Sequence, residues 1–201
     1  MRKILLIVAV LSCSHFIYGQ VSGGIKGGVN LTKQKWEISF LGESASEKFD
    51  GTGFHIGGYL TYALSDVVTL QPELMFNALK VDLDGEDTSL NYLSVPVMLG
   101  YGFENNKLIL QAGPQIGMLL STDPSELKDE DAYKGIDFTF NFGAQVNLDK
   151  FNLSIRYGLG LANLTGDFLE EELEAFFGED IDLKIKNNNL QLSVGYKLFG
   201  N

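Results

Sequence analysis

Five charged residues interrupt stretches that otherwise consist of glycine, amide, hydroxyl and apolar side chains: Lys26, Glu73, Asp137, Arg156 and Lys197. In a narrow protein interior, charges of both signs must be compensated by ion pairs and hydrogen bonds. We therefore predict a polar network of these five residues with a structural role. The sequence singles out no catalytic residue, no cofactor-binding residue and no metal ligand.

Hydrolytic chemistry would depend on a single histidine. A Ser–His–acid arrangement needs a base beside its nucleophile, and His55 is the only histidine beyond the N-terminal segment. Strand pairing across Ser65-Asp66 would place His55 beside residues 76–77, with Glu73 a short distance along the same strand. A membrane hydrolase or acyltransferase is therefore the weaker alternative to a protein without enzymatic activity.

Most of the 26 acidic residues crowd into four segments, 32–52, 81–89, 121–134 and 162–186. They could bind divalent cations or a basic surface partner. The favoured interpretation is that they form solvated surface loops whose negative charges repel each other. Asp82-x-Asp84-Gly85-x-Asp87 resembles part of a calcium loop but lacks its full spacing and distal glutamate. The net charge of -11 argues against a nucleic-acid partner, because phosphate binding needs clustered Lys and Arg.

The N-terminus has the pattern of a secretory signal peptide. Arg2 and Lys3 precede the apolar run 4–11, which is too short to span a membrane as a helix, and a small residue, Gly19, follows a more polar stretch. We predict a signal peptide at 1–19 and a single domain at 20–201. The only cysteine, Cys13, would leave with the signal, so the remaining chain could form no disulfide. Lipoprotein processing at Cys13 is the less favoured alternative.

The dominant pattern in the rest of the chain is alternation of apolar and polar residues. Over 136–148 it continues for thirteen residues, which predicts a strand because a one-sided helix cannot carry this period. Similar runs give eight predicted strands: 22–31, 53–64, 68–77, 92–101, 108–118, 136–148, 151–161 and 190–198.

The connections between these strands alternate in length. Three are tight, at 65–66, 104–107 and 149–150, and the other four are the long acidic segments. Long strands joined alternately by short turns and long loops are typical of outer-membrane barrels. The predicted fold is all-β: an eight-stranded antiparallel up-and-down transmembrane β-barrel with short periplasmic turns and four longer extracellular loops.

The polar strand faces indicate which side of the barrel is apolar. They are rich in Gly, Asn, Gln, Ser and Thr and hold few charges, which suits a narrow lumen better than a water-facing surface. The apolar faces should then point outward into lipid, around an interior filled by side chains. A soluble or lipid-anchored periplasmic barrel for lipids or other hydrophobic ligands, and a narrow solute porin, are the alternatives.

The last long segment carries a second, helical pattern at 167–178. Asp167 and Glu170 fit a capping box, apolar residues share one face, and Gly178 suits the C-terminal end. We predict an amphipathic helix that covers the barrel mouth, with docking of a partner as the alternative.

The sequences of several predicted strands resemble those of one protein family. Ile25-Lys26-Gly27-Gly28-Val29-Asn30-Leu31, Leu70-Gln71-Pro72-Glu73-Leu74, Asn91-Tyr92-Leu93-Ser94-Val95-Pro96 and Gly195-Tyr196-Lys197-Leu198 are similar to the outer membrane protein beta-barrel domain of Bacteroidetes, often labelled the PorT family. The resemblance runs in order from about residue 21 to 199. It implies a small OmpA/OmpX-like barrel in a Gram-negative outer membrane and no known catalytic set.

These observations together favour a non-enzymatic outer-membrane barrel with a closed lumen and a structural or surface-interaction role. We expect outer-membrane lipid as its main partner, no cofactor, no nucleic acid and a monomeric state.

Overall fold

The computed structural model describes residues 21–40, 43–83, 86–123, 134–165 and 181–200. It contains eight strands: β1 (Val21–Phe40), β2 (Glu43–Ala63), β3 (Val68–Leu83), β4 (Glu86–Phe103), β5 (Leu108–Asp123), β6 (Ile136–Leu148), β7 (Phe151–Gly160) and β8 (Ile181–Phe199). The predicted signal peptide and the predicted helix at 167–178 lie outside the described residues. In the described ranges, no helix is long and apolar enough to cross a bilayer.

Each strand pairs antiparallel with the next, and β1 pairs with β8 to close the barrel. This up-and-down topology confirms the predicted fold. The three tight connections also lie where the sequence predicts them, after β2, β4 and β6. Two of these turns are joined by a hydrogen bond in which Asn106 Nδ2 donates to the carbonyl of Asp66 at 3.0 Å.

The apolar strand faces point outward. Phe138, Phe140 and Phe142 are 48%, 42% and 49% exposed, whereas the intervening Thr139 and Asn141 are buried in the interior. The same outward apolar face recurs on all eight strands. An exposed apolar surface of this extent needs lipid to cover it, so the predicted inversion of the usual inside–outside pattern is confirmed.

The strands differ from the prediction at the end where the long segments lie. Most of segments 32–52 and 81–89 is not loop, because β1 pairs with β2 as far as Phe40–Glu43 and β3 pairs with β4 as far as Leu83–Glu86. Likewise, β5 extends to Asp123 and β8 begins at Ile181, inside the predicted segments 121–134 and 162–186. In these extensions the apolar residues point into the barrel and the polar residues point outward. This is the reverse of the pattern in the membrane-spanning part of the strands.

This exchange of sides produces a hydrophobic core inside that end of the barrel. We call it the apolar plug, and its buried members are Leu79, Val81, Leu90, Tyr92, Leu119, Leu164, Leu183 and Ile185. Trp36 and Phe49 pack against it, with their rings edge to face at 5.5 Å. The plug was not predicted, since its residues lie at the ends of the predicted strands or within the predicted loops.

Three prolines lie inside strands, where the missing N–H would break a ladder hydrogen bond. The pairing registers are interrupted beside each of them: between β2 and β3 at Pro72, between β3 and β4 at Pro96, and between β4 and β5 at Pro114. The prolines therefore occupy positions where the ladder is already open.

Candidate functional site

The centre of the barrel holds three buried charges, which we call the central cluster: Lys26 on β1, Glu73 on β3 and Arg156 on β7. Lys26 Nζ lies 2.8 Å from Glu73 Oε1. Arg156 donates to both carboxylate oxygens of Glu73, each at 2.9 Å, in the bidentate geometry that gives the strongest carboxylate pairs. The cluster thereby connects opposite walls of the barrel.

Amide side chains surround the central cluster. Gln71 Nε2 donates to Glu73 Oε1 at 2.6 Å, and Gln111 Oε1 accepts from Arg156 at 3.1 Å. On the side of the tight turns, the Tyr59 ring lies 5.5 Å from Lys26 Nζ, and its hydroxyl accepts from Asn152 at 3.0 Å. These contacts compensate buried charge that would otherwise be strongly destabilising.

The structure brings three of the five predicted network residues together and places the other two elsewhere. Asp137 lies nearer the apolar plug, where it lines a small cavity of about 30 Å³ together with Thr32 and Asn141. Lys197 lies near the opposite end, at the wall of a larger cavity. Inward direction can be predicted from alternation alone, but height along the barrel depends on strand stagger, which the sequence does not display.

His55 belongs to a separate series of hydrogen bonds, on the side of the central cluster that faces away from the tight turns. Its Nδ1 lies 2.7 Å from Asn30 Oδ1 and its Nε2 lies 2.8 Å from Ser193 Oγ. The series continues from Asn30 to Asn77 at 3.4 Å and from Asn77 to Ser94 at 3.1 Å. The predicted position of His55 beside residues 76–77 is confirmed, since the β2–β3 register pairs it with Asn77.

The Ser193, His55 and Asn30 side chains have the order of a nucleophile, a base and an orienting group. In the neutral ring, Nδ1–H donates to Asn30 and Nε2 accepts from the serine hydroxyl. All three side chains are buried, and the described cavities are lined by none of them. Asn30 and Ser193 were missed as partners of His55, although their inward direction follows from the alternation.

A cavity of about 460 Å³ opens at the end of the barrel with the tight turns. Its mouth is lined by Lys107, Asp149 and Lys150, and its inner wall includes Tyr59 and Gln145. Tyr59 also contacts Lys26 of the central cluster through its ring. The inner end of the cavity therefore lies next to the buried charges.

The acidic segments are where the sequence could supply metal ligands. Among the residues that the structure describes, no group of three His, Cys, Asp or Glu side chains comes together so that it could hold a metal ion. Residues 84–85 of the calcium-loop-like stretch, and most of segments 121–134 and 162–186, lie outside the described residues. The predictions of cation binding there stay predictions.

Comparison with known proteins gives a family and several similar folds. Similar solved structures include Ail, the attachment invasion locus protein of Yersinia pestis (14% identity, TM-score 0.46, covering 90% of this chain and 99% of that one). Neisserial surface protein A (12%, 0.49, 87% and 97%) and OprG from Pseudomonas aeruginosa (13%, 0.48, 91% and 97%) are others. No curated protein sequence matches the chain.

The family model described as "Outer membrane protein beta-barrel domain" matches residues 4–197, which is nearly the whole chain. This match agrees with the closed eight-stranded barrel and its outward apolar surface, and it places the protein in the cell outer membrane. The tight turns are then periplasmic and the extended hairpins extracellular. The chain belongs to the outer membrane protein beta-barrel domain family.

Proposed function

We propose that this protein is a non-enzymatic barrel that conducts no solutes and acts at the cell surface through its extracellular strands and loops. The observation that carries the proposal is that two layers of side chains cross the lumen, one charged and one apolar. Eight strands leave an interior just wide enough to be filled by side chains, so two such layers leave no continuous aqueous path.

The first layer is the central cluster. Glu73 reaches Lys26 on one side and Arg156 on the other, and the carboxylate is fully buried. An ion in transit would have to separate these pairs, which is costly because the separated charges would remain buried.

The second layer is the apolar plug above it. Leu90 and Ile185 are fully buried, and the plug also takes in Leu164, from the segment after β7. This layer contributes few groups that could replace the hydration shell of an ion or polar solute. The periplasmic cavity below the central cluster is therefore a blind pocket.

Planar-bilayer recording of the purified, folded protein tests the proposal, with an open porin as positive control. We expect no stable channel above the background of protein-free bilayers. A large and steady conductance would contradict the proposal and favour the narrow-porin alternative.

The absence of catalysis is a separate part of the proposal. Ser193 and His55 have a suitable mutual distance, but both are buried, and the neighbouring backbone N–H groups belong to the strand pairing. A substrate carbonyl therefore has neither access nor a free oxyanion donor. We expect the parent protein and the Ser193→Ala variant to show the same background hydrolysis of phospholipid vesicles, and a serine-dependent activity would refute this part.

The surface role is supported by the length of the extracellular hairpins. β1 and β2 continue well beyond the apolar belt and carry polar outward residues such as Glu37 and Ser46. We propose that these hairpins and the acidic segments contact cations or basic partners outside the cell. We also propose cleavage after Gly19 and membership of the PorT group within the family. Mass spectrometry of the mature N-terminus tests the cleavage.

A further inference from the structure

Three lysines form a row on the outer wall of the barrel. In the strand register, Lys35 on β1 lies directly opposite Lys48 on β2 and directly opposite Lys186 on β8. The inward-pointing neighbours of this row, Gln34, Ile185 and Asn187, are buried, so the three lysines share the outward face.

The row is electrostatically unfavourable in the protein alone. Like charges directly opposite each other on neighbouring strands repel. Lys35 pairs with Glu37 at 2.8 Å, and the same carboxylate also attracts Lys184 and Lys186 from a greater distance. One acid is thus shared by several lysines, and Lys48 makes no ion pair with a described residue. Nearby, Lys33 contacts Asp50 only at 3.5 Å, with both side chains largely exposed. A chain with net charge -11 therefore carries a local excess of positive charge on this wall.

The row lies at the upper edge of the apolar belt. A surface groove of about 520 Å³ runs between the two, with Leu31, Tyr157 and Leu190 on the belt side and three lysines and one acid, Lys33, Lys35, Lys48 and Asp50, on the polar side. Lys186 lies beside the groove, next to Lys35 in the register, and is not part of its lining. Lysines at this level can place their amines among lipid headgroups while their methylene stems contact acyl chains. The groove thus combines an apolar wall with a row of amines.

The opposite wall differs at the same height. There, β4 and β5 present Asn91 and Ser121, which hydrogen-bond each other at 3.0 Å on the exposed surface. This wall has no comparable row of lysines among the described residues. Elsewhere at this end of the barrel, the exposed lysines among the described residues are single ones, Lys80 on β3 and Lys134 before β6. Lysines directly opposite each other on neighbouring strands therefore occur on this wall and not elsewhere in the described part of the barrel.

We infer that the groove below the Lys48–Lys35–Lys186 row is a binding site for a phosphate-bearing lipid of the outer leaflet. The amines pair with the phosphate, and the acyl chains lie against the belt beside Leu31 and Leu190. This site goes beyond the proposed surface role, since it faces the membrane sideways and does not depend on whether the lumen conducts.

Native mass spectrometry of the detergent-solubilised protein tests the inference, with dioleoyl phosphatidic acid as probe and dioleoyl phosphatidylcholine as neutral reference. We expect saturable binding of phosphatidic acid, weakened at least about tenfold in the Lys35→Gln/Lys48→Gln/Lys186→Gln variant. The expectation follows because each lysine near an anionic surface contributes about fivefold. The matched control, Lys107→Gln/Lys150→Gln at the periplasmic turns, should bind like the parent.

Equal binding of the two lipids, or equal loss in the control variant, would overturn the inference. Full competition by inorganic phosphate at the same concentration would also overturn it, because the site would then be one for free phosphate. Heat-modifiable migration on gels checks that the triple variant is folded. Should it not fold, the parent protein still decides: binding must weaken about tenfold or more between 0.05 and 0.5 M NaCl, on the order of the salt sensitivity of exposed charges, and salt-independent binding would refute the site.

Discussion

Arg156 on β7 and Glu73 on β3 meet inside the barrel through two parallel hydrogen bonds of 2.9 Å. Strands β3 and β7 are not neighbours in the sheet, so this pair connects two walls that the backbone ladder does not join directly. Lys26 contacts the same carboxylate at 2.8 Å. One acid thus compensates two buried cations, and the stability of the interior depends strongly on it.

Replacement of that acid should be severely destabilising. Glu73→Gln leaves Lys26 and Arg156 buried without a counter-charge, and we expect a loss of about 3–5 kcal/mol in the free energy of unfolding. Urea titration of the protein in lipid vesicles measures it. The control is Asp50→Asn, which removes an exposed carboxylate 3.5 Å from Lys33 and should change stability by less than about 1 kcal/mol. Similar small effects of both substitutions would contradict the described central cluster.

The apolar plug should behave as a conventional protein core. Leu90 is fully buried in it, so Leu90→Ala removes packed methyl groups and should cost about 2–5 kcal/mol in the same unfolding measurement. Val67→Ala, in an exposed periplasmic turn, should change stability by only about 0.5 kcal/mol. If Leu90→Ala were as mild as the turn substitution, the interior at that end would not be packed as described.

The hydrogen-bond chain through His55 should stabilise the barrel without supporting catalysis. His55→Ala deprives Asn30 and Ser193 of buried partners, and we expect a cost of about 1–3 kcal/mol in unfolding free energy. Ser46→Ala on the exposed part of β2 provides the control, with an expected change within about 0.5 kcal/mol. An unchanged stability of the His55 variant would show that these hydrogen bonds are absent or already replaced by water.

A charge on the lipid-facing surface should be penalised according to its depth. Phe142 lies mid-strand on the outward face of β6, and Phe142→Arg should cost about 2–4 kcal/mol in lipid vesicles. Leu148→Arg, at the periplasmic end of the same strand and face, should cost only about 0–1 kcal/mol. Equal costs at both positions would place the membrane at a different height.

The sequence predicts the fold well because each strand in the membrane has the same simple requirement. Lipid on one side and a narrow lumen on the other force strict alternation, which is why residues 136–148 can be assigned to a strand with its outward residues named. The inward direction of Lys26, Glu73 and Arg156 follows in the same way. Their mutual contact does not follow, since it depends on the stagger of strands that are distant in sequence.

The same requirement explains what sequence analysis misses. Beyond the membrane, water replaces lipid outside and the apolar residues turn inward, so Val81 and Ile185 become core residues in segments predicted as loops. The row of lysines across β2, β1 and β8 is equally invisible, because Lys35, Lys48 and Lys186 are brought together only by the barrel register. Predicting either feature requires knowing the residue on each strand at which the apolar side changes from outward to inward.

The outward direction of the apolar residues is the claim on which the other conclusions depend. Spin labels at single cysteines replacing residues 138 to 142, in a Cys13→Ser background, measure it through collision with lipid-soluble oxygen and a water-soluble nickel complex. In vesicles, labels replacing Phe138, Phe140 and Phe142 should collide strongly with oxygen, and those replacing Thr139 and Asn141 only weakly. Oxygen access at the Thr and Asn positions, with the three Phe positions shielded, would contradict the account.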